Sequence, residues 1–411
     1  MINPDNNAYA RNGYDERAEW YEEARNLVAN GASDFPLTIA ANSSLISAGS
    51  LNPENATQER PVLLDASVLT VLPANVTPQV GDFRPPYAGT DKTISHNVSD
   101  IIWGRLPSLT PPNGGVNVPT ISFVEGNVER LWVVNIANNN ARDIHPQNNQ
   151  PEYGRDISKN AGQAILRSIL NDSQAAKEQL VYDLIQKGID IHAYVLTGQT
   201  YSANGGHNQG YKMPLLFAAH LLDHADMYYY ADTANGHRFA EDSQTFYVTQ
   251  GDIDLCPKYS GDGRTRDCYS SEMLGMPEWG EKHGTAPDDR DGSNWGVYYR
   301  DVAGPAMFPH FVAAQVMGVR SHWGHEAFFD YFYRYEAVED GNGMSGFSYD
   351  MFNAHVAANT GVVWVVGSGD CNCVGGFVSG GGGPPPSGAD NSFKRGNAKR
   401  VRSGGPLRFA F

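Results

Sequence analysis

YSANGGHNQGYKMPLLFAAHLLDHADMYYY, residues 201–230, sets a glycine-rich polar loop directly ahead of a long apolar run. Pro214 stands where a helix begins, because its missing N–H and fixed φ suit a first helical turn. The residues that follow are apolar nearly all the way round, and such a helix is buried on both sides. Working outward, Ile157, Ala161, Ala164, Ile165 and Ile169 recur with helical period. Asp172-Ser173 breaks that run and caps a second helix with Leu180, Leu184 and Ile185 inward, which Gly188 ends. IDIHAYVLTG (189–198) reads as a third, short helix, and FPHFVAAQVMGV (308–319) and HEAFFDYFYRYEAV (325–338) as two more. Short helix-to-helix links make neighbours antiparallel.

Residues 235–300 interrupt this pattern with a long irregular stretch dense in His, Asp, Glu, Trp and Tyr. Loops of that length in a compact protein are functional or disordered, and the aromatic content favours order. The prediction is a mainly α fold, an α/α barrel (incomplete toroid) over 151–367 with long active-site loops. Residues 1–150 differ. Asp15 caps an expected helix carrying Ala18, Tyr21, Ala24 and Val28, stopped at Asn30-Gly31. Beyond about 35 the chain is rich in Pro, Asn and Thr with short β-prone runs, so it is expected to be extended, partly β, and wrapped over the helices. From 368 to 411 the Gly/Pro-rich composition predicts an unpacked linker and tail.

The 411 residues are 41% hydrophobic and 18% charged, which excludes a disordered chain and supplies a core. The net charge of −16 is uneven. From Asp390 onward six basic residues (Lys394, Arg395, Lys399, Arg400, Arg402, Arg408) face one acid, which leaves about −21 on the remainder. No nucleic-acid partner is expected for such a body, and no apolar run is long enough for a membrane span. Cys256 and Cys268 flank a polar loop whose spacing fits either a disulfide or two free thiols, and Cys371-Asn-Cys373 is too tight for zinc.

Three groups of residues carry candidate chemistry. The first is the loop with Asn204, Gly205, Gly206, His207, Gly210, Tyr211 and Lys212. Its glycines leave His207 without neighbouring side chains, so the imidazole is expected to reach solvent, and Lys212 to meet an anion. The second is Glu278, Trp279, His283, Trp295, Tyr298, Tyr299 and Arg300, where aromatic rings suit sugar stacking and Arg a carboxylate. The third is Glu241-Asp242, which with Glu278 offers the carboxylates of a glycoside hydrolase. His220 and His224 have metal-compatible spacing but read as packed histidines.

An Asn and a His on a loop entering an inner helix, with a downstream Tyr and Arg, resembles the helical-toroid polysaccharide lyases of the alginate-lyase-like kind. FRPPYAGTDK (83–92), QKGID (186–190), GGHNQGYKMPLLFA (205–218), EDSQTFYV (241–248), MPEWGEKH (276–283) and YYRDV (298–302) carry the resemblance. Where those lyases have Asn-Asn-His this chain has Asn204-Gly-Gly-His207, and Tyr211 stands where an Arg precedes the Lys. The resemblance implies β-elimination on a uronic-acid-containing polysaccharide. Asn204 or Arg300 would neutralise the carboxylate, His207 or Tyr299 would take the C5 proton, and a Tyr phenol would protonate the departing oxygen. Lys212, Tyr211, Trp279, Trp295, His283 and Glu278 would bind substrate. No metal or cofactor is needed, and the partner is an acidic polysaccharide. The implied compartment is secreted or periplasmic, although MINPDNNAYARNGYDERAEWYEE lacks a signal's basic start and apolar stretch, and cytoplasmic is the alternative. Rival expectations are an α/α-barrel hydrolase and a non-catalytic carbohydrate-binding protein.

Overall fold

The computed structural model describes residues 1–2, 4, 11–27, 35–51, 61–136, 145–146, 154–254, 258–259, 265–266, 269, 271–280, 298–358, 362–366 and 375–379. The fold is mainly α. Its helices are α1 (Ile121–Glu125), α2 (Gly154–Ser168), α3 (Gln174–Leu196), α4 (Lys212–Leu222), α5 (Ala225–Ala231), α6 (Ala240–Gln244), α7 (Gln250–Asp254), α8 (Tyr298–Val316), α9 (Arg320–Trp323), α10 (Glu326–Glu339) and α11 (Gly346–Phe352). The strands are β1 (Ser43–Ser50), β2 (Leu63–Val71), β3 (Thr245–Tyr247), β4 (Lys258–Tyr259), β5 (Thr265–Arg266), β6 (Pro277–Trp279), β7 (Val362–Val366) and β8 (Gly375–Ser379). They form two-stranded antiparallel pairs, β1 with β2, β3 with β6, β4 with β5 and β7 with β8.

The apolar face predicted on α2 is buried at every position, from Ile157 through Ile165. It packs on α8 at close range, where a Cβ on Gly162 would lie 2.7 Å from Pro309. Ser158 Oγ donates to the Ala306 carbonyl at 3.2 Å, and His310 Nε2 meets the Ser158 carbonyl at 2.6 Å. Ser158 thus contacts Ala306, and Gly162, one turn on, contacts Pro309 and His310, so α2 and α8 run side by side in the same direction.

Gly188 does not end a helix. It lies inside the continuous α3, where a Cβ would fall 2.4 Å from Ala218 Cβ and 2.7 Å from the Pro214 carbonyl oxygen. The glycine serves close approach of α3 to α4, so the separate helix expected at 189–198 is the end of α3. Conversely, the apolar run after Pro214 is two helices, because Asp223 takes a left-handed conformation (φ 52°) and His224 Nδ1 caps α5 by accepting from the Met227 amide.

The helix expected from Asp15 is absent among the described residues. Arg17 takes the Asp15 carboxylate (2.9 and 2.6 Å), Trp20 has φ 61°, and Asn12 draws the Trp20 carbonyl back at 3.2 Å, leaving one 3₁₀ turn at Glu23–Arg25. The rest of the described N-terminal residues contact the helices. After the β1–β2 hairpin, Arg84 forms a two-pronged pair with Asp190 of α3 (3.0 and 2.5 Å), and Gln186 donates to the Arg84 carbonyl at 3.0 Å. Lys92 Nζ is ringed by the carbonyls of Pro86, Tyr87, Ala88 and Gly89 at 2.7–3.4 Å. Ile46, Tyr87 and Trp132 join Ile165, Leu184, Phe217, Phe311 and Phe332 in one apolar core. The expectation that everything beyond 368 is unpacked is corrected by β8, whose Phe377 registers with Trp364 and Val378 with Val363. Residues 380–411 lie outside the described residues, as do all four cysteines. No described helix is long and apolar enough to cross a membrane.

Candidate functional site

The loop ahead of α4 is a rigid turn. Asn204 and His207 form an antiparallel bridge, with the His207 amide donating to the Asn204 carbonyl at 2.9 Å. Gly205 (φ 54°), Asn208 (φ 60°) and Gly210 (φ 91°) occupy the left-handed region, which only glycine and asparagine enter easily. Asn208 Nδ2 donates to the Ser202 carbonyl at 2.7 Å. A Cβ on Gly210 would sit 2.5 Å from Ser158 Cα, and one on Gly154 would sit 2.8 Å from the Gly206 oxygen. The glycines therefore admit the first turn of α2 instead of exposing the imidazole. His207 is only 8% exposed, which corrects the expectation that it stands free in solvent. Asn204 is half-buried beside it.

Under the loop lies a buried polar floor. Lys212 Nζ meets Asp242 Oδ1 at 2.6 Å, Thr233 Oγ1 at 2.7 Å and the Trp323 carbonyl at 2.8 Å, all out of water. It also sits 4.8 Å from the Trp323 ring centroid. Burial lowers the Lys212 pKa, and the Asp242 carboxylate opposes the fall. Lys212 is thus a structural cation and does not reach substrate. Tyr211 is equally internal, stacked on Tyr201 at 4.2 Å between ring centroids, so it offers no surface to a sugar. Gln244 Nε2 donates to the Gly205 carbonyl at 2.6 Å, and Gln209 Nε2 donates to Gln244 Oε1 at 3.0 Å. Glu241 is fully buried, and its carboxyl oxygens find only the poorly aligned backbone amides of Glu241 and Lys212. Burial pushes its pKa up to about 8, the adjacent Asp242 charge adds to the rise, and the backbone amides of Glu241 and Lys212 together with the Lys212 charge pull back.

The β3–β6 pair closes the floor. Arg334 Nη1 donates to the Pro277 carbonyl at 2.7 Å and to Glu278 Oε2 at 3.2 Å, with both side chains fully buried. Trp279 packs 5.5 Å from Tyr331 and 6.0 Å from Phe332 and is also fully buried. Glu278 and Trp279 therefore anchor β6 to α10 rather than contacting a ligand. Nearby, the Tyr247 hydroxyl donates to Asp330 at 2.6 Å, and burial raises the Asp330 pKa to about 6.

Tyr299 and Arg300 are the second and third residues of α8. Their side chains, and His283 and Trp295 entirely, lie outside the described residues. The α8 backbone still locates Tyr299 and Arg300. Because α2 and α8 run in the same direction, the first turn of α8 lies at the end of the pair where Gly154 of α2 touches the His207 loop. The two candidate histidines of the apolar run diverge: His220 pairs with the Tyr228 hydroxyl (2.9 Å) and the Arg105 carbonyl (3.2 Å), while His224 lies against His96 and His192. No group of three or more His, Cys, Asp or Glu side chains among the described residues is arranged to hold a metal ion.

Sequence reasoning missed Gln209, Gln244 and Arg334 as framework residues. Arg334 carried a signal, since a guanidinium in the middle of FFDYFYRYE has to find a buried partner. The glutamines carried none. Comparison of the chain with protein-family models, curated proteins and solved structures finds no match.

Proposed function

We propose that this protein is a polysaccharide lyase of α/α-barrel architecture, cleaving a uronic-acid-containing chain by β-elimination at a site built on the His207 loop. One observation carries the reading: the loop bearing Asn204 and His207 and the helix turn bearing Tyr299 and Arg300 belong to the same end of the α2–α8 pair. Parallel neighbours separated by other helices are also what the inner ring of such a barrel requires.

In the reaction the C6 carboxylate of the uronate is bound by Asn204 and Arg300, which favours negative charge building on C5 and the carboxyl group. His207 or Tyr299 accepts the C5 proton, the C4–O4 bond breaks, a C4=C5 double bond forms, and a Tyr phenol returns a proton to O4. Water is not consumed. The hydrolase alternative is disfavoured by the carboxylates themselves. Asp242 and Glu278 are held in buried ion pairs and Glu241 is fully buried, so none presents an acid or base to a glycosidic oxygen.

The test is a panel of uronic-acid polymers incubated with the purified protein. New ultraviolet absorbance from the conjugated C4=C5 uronide is the expected result. Reducing ends without that absorbance would make the protein a hydrolase, and binding with neither product would make it a carbohydrate-binding protein.

A further inference from the structure

We propose that Glu241 is the positioning residue that seats the His207 loop, and that it does so as an uncharged carboxyl group. The geometry is that of α6. This five-residue helix grips the loop from Asp242, through the Lys212 ammonium, and from Gln244, through the Gly205 carbonyl and Gln209. Glu241 precedes both grips, one residue before Asp242 and three before Gln244, and the three-residue spacing puts two side chains on one helical face.

Among the described residues, the cations near it already have their hydrogen-bond partners. An ammonium has three N–H donors, and those of Lys212 go to Asp242, Thr233 and Trp323. Arg334, from α10, is held by Glu278 and the Pro277 carbonyl. The histidines facing α6 are His237, whose Nδ1 meets the Asp242 carbonyl at 3.2 Å, and His325, whose Nε2 meets the Thr245 carbonyl at 2.9 Å. The charges acting on Glu241 are Asp242, which raises its pKa, and the Lys212 ammonium, which lowers it but is shared with Asp242 and Asp232. An ionised Glu241 would be a second buried anion beside Asp242 with the one Lys212 ammonium between them, which is strongly disfavoured. The relief open to it is hydration, and hydration requires α6 to lift. Lifting α6 takes Gln244 off Gly205 and frees the turn that carries Asn204 and His207. Loss of the Glu241 proton would therefore switch the loop from seated to loose, reversibly, as pH rises through about 8.

Activity as a readout rests on the lyase reading, whereas stability and amide exchange do not. The experiment compares wild type with Glu241→Gln, the nearest neutral isostere, from pH 6.5 to 9.5. Melting temperature and the exchange protection of amides 204–210, corrected for intrinsic rates, are followed together. Wild type is expected to lose loop protection at least tenfold between the ends of that range. Glu241→Gln should hold it and melt higher than wild type at pH 9. Glu241→Met, similar in length and without charge, should also fold and remove the pH dependence. On a cleaved polyuronate, wild-type kcat/KM should fall on the alkaline side, and the Gln variant should stay within about threefold of its plateau.

The proposal is overturned if wild-type loop protection does not change with pH, if Glu241→Gln melts lower than wild type at pH 9, or if neither variant folds at pH 7. If both proteins are inactive on every polymer while Glu241→Gln abolishes the pH dependence of the loop, the lyase reading fails and the role of Glu241 stands.

Discussion

The Lys212 ammonium has as many buried acceptors as donors, so its removal leaves Asp242 charged and unpaired out of water. Breaking one side of a buried pair costs about 3–5 kcal/mol. Lys212→Met is expected to lose that much in chemical denaturation, and Lys212→Met/Asp242→Leu distinctly less than the sum of its single changes. Additive losses would show that the two side chains do not depend on each other. Sequence adjacency to His207 suggested a substrate cation at this position. What decides its role is contact with residues 21, 30 and 111 positions away, which no local pattern encodes. The same holds for Trp279: an aromatic side chain in a loop-rich stretch reads as a sugar platform until Tyr331 and Phe332 are seen packed on it.

At the scale of elements, helical periodicity located α2, α8 and α10, because a buried face must repeat every third or fourth residue. It misplaced the boundaries of α3 and α4 for one reason. Gly188 and Asp223 have opposite roles from those their residue types suggest: glycine continues α3 to let α4 approach, and aspartate ends α4 in a left-handed cap. Gly188→Ala is therefore expected to destabilise by about 1–3 kcal/mol through overpacking against Ala218, whereas Gly104→Ala, with open space around it, should change little. Equal effects on the denaturation midpoint would contradict the packing argument. The N-terminal wrap meets the helices at three imidazoles, His224 lying 5.1 Å from His96 and 5.2 Å from His192 between ring centroids. Burial and the neighbouring His224 depress the His192 pKa to about 4, and burial lowers that of His96, while Asp226 and Asp100 oppose these shifts. A histidine depressed in the fold stabilises it above its unfolded pKa, roughly 6.5, and that contribution drains away as pH falls toward the folded value. Amides 83–100 should therefore lose exchange protection between about pH 6.5 and pH 4, and His192→Gln should weaken the dependence. Protection that is indifferent to acid would remove the histidine contact as a determinant of docking.

Across the whole molecule, the wrap and the helical body share one apolar core, so the compositional break near residue 150 marks a change of structural style within it. The mainly helical character of the chain was legible from its periodicity. The buried framework beneath the His207 loop was not, because it joins α4, α6, α10 and the β3–β6 pair through polar side chains of ordinary surface type. Net charge acts at this scale as well. A chain of −16 repels a polyuronate at long range, so kcat/KM on such a substrate should rise when modest salt is added, before higher salt weakens carboxylate binding. A monotonic fall from the lowest ionic strength would indicate a locally cationic approach that outweighs the net charge. The central claim is that the His207 loop, seated on its buried framework, performs β-elimination. Its most direct test is the rate at which unsaturated-uronide absorbance appears with wild type and with His207→Ala, after matching melting temperatures show that both are folded. The expected result is activity in wild type and a loss of roughly 10²–10⁴-fold in the variant. Full activity in His207→Ala, or no absorbance from wild type on any polyuronate, would contradict it.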